Sequence, residues 1–312
     1  MTSFAFVFPG QGSQAVGMLD AWGDHPAVRS TLDEASAALG ENIAALIAAG
    51  PKDQLDLTTN TQPVMLTAAM ACYRAWRAEG GAEPAAVAGH SLGEYSALVA
   101  AGALSLGDAL PLVRFRAQAM QAAVPVGVGA MAAILGLDPA LVVQGCAQAA
   151  ADSGEVVSAA NFNDPRQTVI AGSKAGVDQA CDKLKAMGAK RALLLAVSAP
   201  FHSSLMKPAA GALRERLAKV MIVEPLIPVV NNIDVAVQTE PNAIRDALYR
   251  QAFGPVRWVE VTQALRTRGL LHILECGPGK VLSGLVKRVD ADIRSLTVLD
   301  PASLQAAKEM LQ

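Results

Sequence analysis

One pentapeptide constrains the fold of this 312-residue chain more than any other feature of its sequence. Gly89-His90-Ser91-Leu92-Gly93 joins a short apolar segment, residues 85–89, to a segment of helical composition, residues 92–101. A serine at the apex of a strand–turn–helix has a strained backbone, and small residues on both sides avoid clashes. The pattern predicts that Ser91 points into a cleft as a nucleophile, with the N–H of Leu92 facing the same space. The alternative is a Gly-Ser-Gly turn that arises by chance.

Short apolar segments and helical segments alternate along most of the chain, which is typical of a parallel sheet with helices on both faces. The predicted strands of this sheet are residues 4–8, 85–89, 226–230, 271–274 and 296–299. The predicted helices around it are residues 63–79, 92–101, 106–121, 241–253, 256–268 and 279–289. The sequence therefore predicts an α/β fold.

The middle of the chain follows a different order. Its predicted strands are residues 129–137, 156–161, 167–171 and 191–197, and its predicted helices are residues 139–151 and 173–187. The resulting β-α-β-β-α-β order is typical of a ferredoxin-like unit. We therefore expect a small inserted subdomain, residues 128–197, and a large domain made of residues 1–127 and 198–312. A cleft between two lobes is a common place for a ligand site.

The composition excludes several classes of protein. Hydrophobic residues make up 52% of the chain and charged residues 17%, which is incompatible with intrinsic disorder. There are 26 Lys and Arg against 28 Asp and Glu, a net charge of −2, so nucleic acid is not an expected partner. The four cysteines form no C-x-x-C pair and the four histidines no H-E-x-x-H motif, so no metal site is predicted.

Two uncharged runs, residues 1–19 and 117–137, resemble membrane segments in composition. The first lacks the basic start of a signal peptide and is interrupted by Pro9 and three glycines. The second is long enough to span a bilayer but contains Pro125, Gly127, Gly129 and two glutamines. We therefore expect no membrane segment and a cytoplasmic location, where dispersed cysteines stay reduced.

A serine nucleophile needs a general base, and His202 is the candidate that the sequence favours. It follows the predicted strand 191–197, where a side chain can face the cleft. His90 is adjacent to Ser91 but should point away from it across the turn. No aspartate between Ser91 and His202 is evidently placed to complete a triad, so we predict a Ser-His dyad with a neutral group orienting the histidine. Such a dyad suits an activated thioester better than an amide.

Two glycine-containing segments allow alternative interpretations. The loop 8–14 follows the first predicted strand and can present the N–H of Gln11 to an oxyanion. It also satisfies a loose dinucleotide fingerprint, Gly10-x-Gly12-x-x-Ala15, but residues 22–26 interrupt the helix that such a site requires. Residues 275–280 resemble a phosphate loop but depart from the Walker A pattern, so we favour a strand-to-helix turn.

Five motifs occur in an order that makes a family resemblance specific. They are Phe8-Pro9-Gly10-Gln11-Gly12, Gly89-His90-Ser91-Leu92-Gly93-Glu94, Arg116 followed by Met120, Pro200-Phe201-His202, and Glu275-x-Gly277-Pro278-Gly279-Lys280-Val281-Leu282. Together they closely resemble the malonyl-CoA:acyl carrier protein transacylases, within the acyltransferase family of fatty acid and polyketide synthesis. The resemblance extends from about residue 4 to residue 300.

The resemblance implies a hydrolase-like large α/β domain with a parallel sheet, together with the ferredoxin-like insertion. It also implies ping-pong transfer of a malonyl group from malonyl-CoA to the phosphopantetheine thiol of acyl carrier protein, by a monomer without a metal or a cofactor. Ser91 would take the acyl group and His202 would act as its base. Gln11 and Leu92 would supply the oxyanion N–H groups.

Three further residues are singled out only by the resemblance. Arg116 would bind the malonyl carboxylate, although spacing alone does not separate it from Arg114, because both flank the apolar stripe of the predicted helix 106–121. A guanidinium can bind a carboxylate through two parallel hydrogen bonds. Gln251 would orient the histidine through its backbone carbonyl, and Asn161 would line the cleft.

Two other functions remain open at the level of the sequence. A serine esterase or thioesterase could use the same turn, and it would not protect its acyl-enzyme from water. A nucleotide-binding module could use residues 10–15, and it would respond to NAD(P)H by a change in absorbance or fluorescence.

Overall fold

The computed structural model describes residues 2–312. The strands are β1 (Ala5–Phe8), β2 (Ala86–Gly89), β3 (Gly129–Leu135), β4 (Val157–Asp164), β5 (Gln167–Ser173), β6 (Arg191–Leu194), β7 (Val229–Val230), β8 (His272–Cys276) and β9 (Arg294–Val298). The α-helices are α1 (Pro26–Leu39), α2 (Ile43–Ala49), α3 (Lys52–Leu55), α4 (Thr58–Ala78), α5 (Gly93–Ala100), α6 (Leu106–Ala122), α7 (Pro139–Ser153), α8 (Lys174–Ala186), α9 (Lys207–Leu217), α10 (Pro241–Gln251), α11 (Trp258–Thr267), α12 (Val281–Val289) and α13 (Pro301–Met310). Over residues 2–312, none of the helices combines the length and the apolar character that crossing a membrane requires.

Five strands form a parallel sheet in the order β7-β2-β1-β8-β9. Side chains alternate between the two faces along β1, because successive residues of a strand point in opposite directions. Phe6 and Phe8 pack into a hydrophobic cluster with α4 and α6, whereas Ala5 and Val7 pack into a second cluster with α11 and α12. Helices thus cover both faces of the sheet, and the predicted α/β arrangement is confirmed.

The strands β3 to β6 form a separate antiparallel sheet in the order β4-β5-β3-β6. Helices α7 and α8 pack against one face through a cluster that includes Ile134 and Ile170. This order, with both helices on one face, is the predicted ferredoxin-like arrangement. The opposite face carries Met131 and Val169, which line the cleft towards the large sheet. The domain boundaries at 127/128 and 197/198 stay a prediction.

Strand β4 fixes the small sheet to the large domain. The Phe162 N–H donates to Val256 O at 2.9 Å, and the Val256 N–H donates to Ala160 O at 2.8 Å. Near the end of β4, Arg288 of α12 donates to the buried carboxylate of Asp164 at 2.6 Å. These contacts set the position of one wall of the cleft relative to the parallel sheet.

Several predicted element bounds are wrong. The helix predicted from residue 63 begins at Thr58, because Pro63 lies early in α4, where its missing N–H removes a single helical hydrogen bond. The strand predicted at 226–230 is reduced to β7, since Leu226 is exposed and Pro228 has no N–H to donate to a neighbouring strand. Strand β4 continues to Asp164 instead of ending at residue 161, and β6 ends at Leu194 instead of residue 197.

Candidate active site

Ser91 lies in the sharp turn between β2 and α5. Its φ is +52°, a left-handed conformation that residues other than glycine seldom adopt. A Cβ added at Gly89 would lie 1.9 Å from the carbonyl carbon of Gly93, and one added at Gly93 would lie 2.0 Å from Phe8 O. Only glycines therefore allow the turn to pack this closely. The turn leaves Ser91 beyond the carboxyl end of a parallel strand, where α/β folds commonly bind ligands.

His202 lies within hydrogen-bond distance of Ser91, with 2.7 Å between His202 Nε2 and Ser91 Oγ. Its Nδ1 is 2.9 Å from Gln251 O and 3.1 Å from Gly254 O. Because both carbonyls can only accept, Nδ1 carries the proton, and Nε2 keeps a lone pair directed at the serine hydroxyl. Main-chain carbonyls, and not a carboxylate, thus orient the ring. Burial and, to a lesser extent, the charge of Arg116 lower the pKa of His202 to about 3, so the imidazole is neutral at pH 7.

Arg116 extends from α6 to the same serine and is only 2% exposed. Its Nη2 donates to Ser91 Oγ at 3.2 Å and to Gln251 Oε1 at 3.1 Å. Its Nη1 donates to Gln62 Oε1 at 2.8 Å. These three acceptors are neutral, so the guanidinium is a buried charge suited to a carboxylate ligand. Arg114 instead pairs with an exposed glutamate at 2.5 Å, so the structure separates two arginines that the sequence leaves equivalent.

The backbone N–H groups of Gln11 and Leu92 donate to no acceptor within residues 2–312. Both residues line the cavity at Ser91. The Leu92 N–H also belongs to the N-terminus of α5, where the helix dipole favours negative charge. The Gln11 loop continues without opening an α-helix, since α1 begins only at Pro26. That connection lacks the helix that a dinucleotide site requires.

A cavity of about 510 Å³ between the two sheets brings the predicted residues together. Six of the seven line it: Gln11, Ser91, Leu92, Arg116, Asn161 and His202. The seventh, Gln251, is fully buried and reaches the site through its contacts with His202 and Arg116. Apolar side chains of Met131, Val169 and Phe201 form part of the cavity wall.

Four side chains hold the site together without having been singled out from the sequence: Gln62, Glu94, Asn163 and Asn232. Asn163 Oδ1 lies 2.9 Å from His90 Nε2, a contact between the two lobes. His90 makes no hydrogen bond with Ser91 within the described chain, as expected, but it does line the cavity. Asn232 lies two residues after a predicted strand of the parallel sheet, at the edge where α/β folds commonly bind ligands, but this position alone does not indicate its contact with Ser91.

Residues 5–299 match the family model described as acyl transferase domain. The chain belongs to the acyl transferase family. Similar acyl transferases include the malonyl CoA-acyl carrier protein transacylase of Escherichia coli (strain K12), which is 52% identical over 311 residues, covering 99% of this chain and 100% of the relative. The malonyl CoA-acyl carrier protein transacylase of Bacillus subtilis (strain 168) is 45% identical over 313 residues, covering 100% of this chain and 98% of the relative.

Solved acyl transferase structures share the fold over nearly the whole chain. An acyl-carrier-protein S-malonyltransferase from Burkholderia pseudomallei 1710b has a TM-score of 0.97 and 66% identity, covering 98% of this chain and 99% of that one. A malonyl-transacylase in complex with its type II PKS acyl-carrier protein has a TM-score of 0.97 and 48% identity. The match covers 99% of this chain and 100% of that one.

Proposed function

We propose that this acyl transferase moves a malonyl group from malonyl-CoA to the phosphopantetheine thiol of an acyl carrier protein, with Ser91 as the temporary acyl acceptor. One observation carries the proposal: Ser91 Oγ contacts both the neutral imidazole of His202 and the buried guanidinium of Arg116. The base turns the serine into an acyl acceptor, and the adjacent cation selects an acyl group that bears a carboxylate.

In the first half-reaction, Ser91 Oγ attacks the thioester carbonyl carbon of malonyl-CoA while its proton moves to His202 Nε2. The Oγ–C bond forms, and the oxyanion accepts hydrogen bonds from the N–H groups of Gln11 and Leu92. Each such donor is worth about 2.7–4 kcal/mol in comparable sites. The C–S bond then breaks, and the CoA thiolate takes the proton from Nε2. His202 is neutral again, and Ser91 carries a malonyl ester.

The second half-reaction reverses these steps with a different thiol. The phosphopantetheine thiol of the carrier gives its proton to His202 Nε2 as its sulfur attacks the ester carbonyl. A C–S bond forms, the C–Oγ bond breaks, and the proton returns to Ser91 Oγ. The carrier leaves with the malonyl thioester, and the enzyme recovers its starting state.

The two carbonyls that orient His202 fit this chemistry. They accept hydrogen bonds from the Nδ1–H group throughout and stabilise the imidazolium that forms, although less strongly than a carboxylate would. A thiolate is a better leaving group than an amine, so the thioester needs less help from the acid form of the histidine. The dyad therefore suits acyl exchange between thiols.

Arg116 supplies the selectivity for malonyl over acetyl groups. On binding, the malonyl carboxylate accepts the guanidinium donors that Ser91 and Gln251 occupy in the free protein. Leaving a buried charge without its partner costs about 2–5 kcal/mol, and each 1.4 kcal/mol is about tenfold in binding. We therefore expect at least about a tenfold preference for malonyl-CoA over acetyl-CoA.

The names of relatives support the choice of substrate and acceptor. The relatives from Escherichia coli and Bacillus subtilis are both named malonyl CoA-acyl carrier protein transacylases. A structural neighbour at 48% identity is bound to a type II PKS acyl-carrier protein. The malonyl group supplied in this way would serve fatty acid or polyketide synthesis.

A transfer assay tests the proposal. The purified chain is mixed with malonyl-CoA and a holo acyl carrier protein, and the carrier is weighed intact. We expect a malonyl group on the carrier with the wild type and none with Ser91→Ala. Free malonate in place of malonyl-carrier would identify a thioesterase, and no reaction at all would mean that the substrate class is wrong.

The proposal includes three expectations from the sequence. No metal or cofactor is needed, because the two thiols and the chain's own groups make every bond change described above. A monomeric state and a cytoplasmic location complete the proposal. Sedimentation velocity of the purified chain and fractionation of cells test them.

A further inference from the structure

Two buried polar side chains, Glu94 and Asn232, lie close to Ser91 and take no part in the proposed reaction. Glu94, in the first turn of α5, is 2% exposed, and Asn232, just after β7, is 0% exposed. Neither lines the active-site cavity. Burying a carboxylate or an amide is unfavourable unless hydrogen bonds compensate. The partners of these two groups therefore show what they hold in place.

Asn232 holds the Ser91 turn at both ends. Its Oδ1 accepts the N–H of Ser91 at 2.7 Å, and its Nδ2 donates to Gly89 O at 2.7 Å. These backbone groups flank the residue with the left-handed φ, so the amide replaces the ladder and helix bonds that the turn lacks. A strained conformation persists only where its surroundings determine it in this way.

Glu94 in turn holds Asn232 and joins it to Gln251. The Oε2 atom of Glu94 accepts the backbone N–H of Asn232 at 2.8 Å and the side-chain Nε2 of Gln251 at 3.1 Å. The segment that follows β7 and the last residue of α10 thus converge on one carboxylate oxygen.

Gln251 connects this oxygen to every reacting group of the site. Its Nε2 also donates to Ser91 O at 3.0 Å, and its Oε1 accepts from Arg116 at 3.1 Å. Its backbone carbonyl accepts a hydrogen bond from His202 Nδ1–H at 2.9 Å. A shift of Gln251 would therefore move the nucleophile, its base and the cation together.

A second buried glutamate shows that burial alone does not create such a network. Glu275, at the end of β8, is 0% exposed. Its Oε2 accepts the backbone N–H of Ser283 in α12 at 2.8 Å. It does not line the cavity. Glu275 is thus a control for Glu94: it is also buried, but its hydrogen bond goes to a helix and not to a residue in contact with Ser91.

We propose that Glu94 is a positioning residue, whose Oε2 holds Asn232 and Gln251 so that nucleophile, base and cation keep the geometry that acyl transfer needs. The inference rests on the proposed function, because the reaction that benefits is the acylation of Ser91.

The test compares Glu94→Gln with Glu94→Ala. Glutamine keeps a side-chain oxygen that can accept both hydrogen bonds, whereas alanine removes it. The measured quantity is the first-order rate constant of Ser91 acylation at saturating malonyl-CoA, which does not depend on the fraction of chains that can acylate. We expect Glu94→Ala to be about tenfold to a hundredfold slower than the wild type, and Glu94→Gln to stay within about threefold of it.

Two further variants separate positioning from stability. Glu94→Asp keeps the charge but withdraws the oxygen by one methylene, so it should acylate slowly, and it replaces Glu94→Ala if alanine does not fold. Glu275→Ala should lower Tm and leave the acylation rate per active chain unchanged. The proposal is overturned if Glu94→Ala and Glu94→Asp acylate at the wild-type rate per active chain, or if Glu94→Gln is as slow as either of them.

A fluorophosphonate probe separates this inference from the proposed function, because it labels an activated serine without any malonyl group. If the wild type takes no malonyl group, the proposed function fails. The positioning role is then decided by the probe: slower labelling of Glu94→Ala than of Glu94→Gln and the wild type supports it, and equal labelling of all three overturns it.

Discussion

Two strand-to-helix turns of the parallel sheet differ in where they place backbone strain. The β2–α5 turn and the β8–α12 turn both follow strands that pair directly with β1. In the first turn the left-handed φ falls on Ser91, at +52°, and in the second it falls on Gly277 and Gly279, at +129° and +85°. Glycine adopts such angles at little cost, whereas other residues lose about 1–3 kcal/mol. The candidate active site thus differs from the structural turn in having its strained backbone angle at a residue with a reactive side chain.

The buried glutamates of the two turns extend the comparison. Burial raises the pKa of Glu94 to about 7 and also raises the pKa of Glu275. Glu94 accepts from Asn232 and Gln251, both in contact with Ser91, whereas Glu275 accepts from the first turn of α12. A buried carboxylate is therefore not by itself a sign of function, and its hydrogen-bond partners decide its role.

Adding one methyl group to the helix after each turn should give the largest contrast. The Cβ of Gly93→Ala would lie 2.0 Å from Phe8 O, whereas the nearest atom to a Cβ at Gly284 is an Arg288 side-chain nitrogen at 3.6 Å. We expect Gly93→Ala to lose roughly 1–3 kcal/mol of stability or more, and to lose acylation. Gly284→Ala should stay active and gain up to about 1 kcal/mol, because alanine favours helix. Urea denaturation and the acylation assay check both, and a stable, active Gly93→Ala would break the comparison.

The two arginines of α6 show the same contrast. Arg116 contacts the reactive serine, whereas Arg114 forms an ion pair with an exposed glutamate. Arg116→Ala should lose about 2–5 kcal/mol of selectivity for malonyl-CoA, because the carboxylate is then buried without its cation. Arg114→Ala loses an ion pair with an exposed partner, worth about 0.2–1 kcal/mol, and should keep its selectivity. The ratio of acylation rates with malonyl-CoA and acetyl-CoA measures this difference. Unchanged selectivity in Arg116→Ala would assign the carboxylate to another group.

The buried base should make stability depend on pH. Burial lowers the pKa of His202 to about 3, so the folded chain stays unprotonated where the unfolded chain takes up a proton. The contribution of neutral His202 is complete above about pH 6.5 and falls as the pH drops towards 3, by up to about 1.4 kcal/mol per pH unit. His202→Gln removes this pH-dependent contribution to the free energy of unfolding. In urea unfolding from about pH 7.5 to 5, the wild type should therefore lose stability relative to His202→Gln. A constant difference would contradict the low pKa.

The smallest effect is expected at the structural turn. Glu275→Gln keeps an oxygen that can accept the Ser283 N–H, so stability should change by less than about 1 kcal/mol. The acylation rate should not change. Thermal unfolding and the acylation assay measure the two quantities, and a clear loss of acylation would show that the second turn also belongs to the active site.

Local patterns were sufficient to predict most of the fold. The apolar runs of β1 and β2 and the β-α-β-β-α-β order of the small sheet are visible in the sequence because each depends on neighbouring residues. The start of α4 is not visible, because Thr58 and Thr61 are poor helix formers. Both are buried in the structure, so tertiary contacts extend that helix.

The candidate site divides in the same way. Ser91 and His202 follow from local turn and strand patterns, whereas Arg116 and Gln251 needed a family resemblance. Asn232 was not predicted, because its contact with Ser91 spans 141 residues of sequence. A single sequence reports the surroundings of each residue along the chain, and not the partners that folding brings to it.

The mass of the intact protein, after brief mixing with malonyl-CoA and an acid quench, tests most directly whether Ser91 accepts a malonyl group. We expect one malonyl group on the wild type, far less label with acetyl-CoA, and no adduct on Ser91→Ala. An equal malonyl adduct on Ser91→Ala, or release of free malonate without any adduct on the wild type, would contradict this expectation.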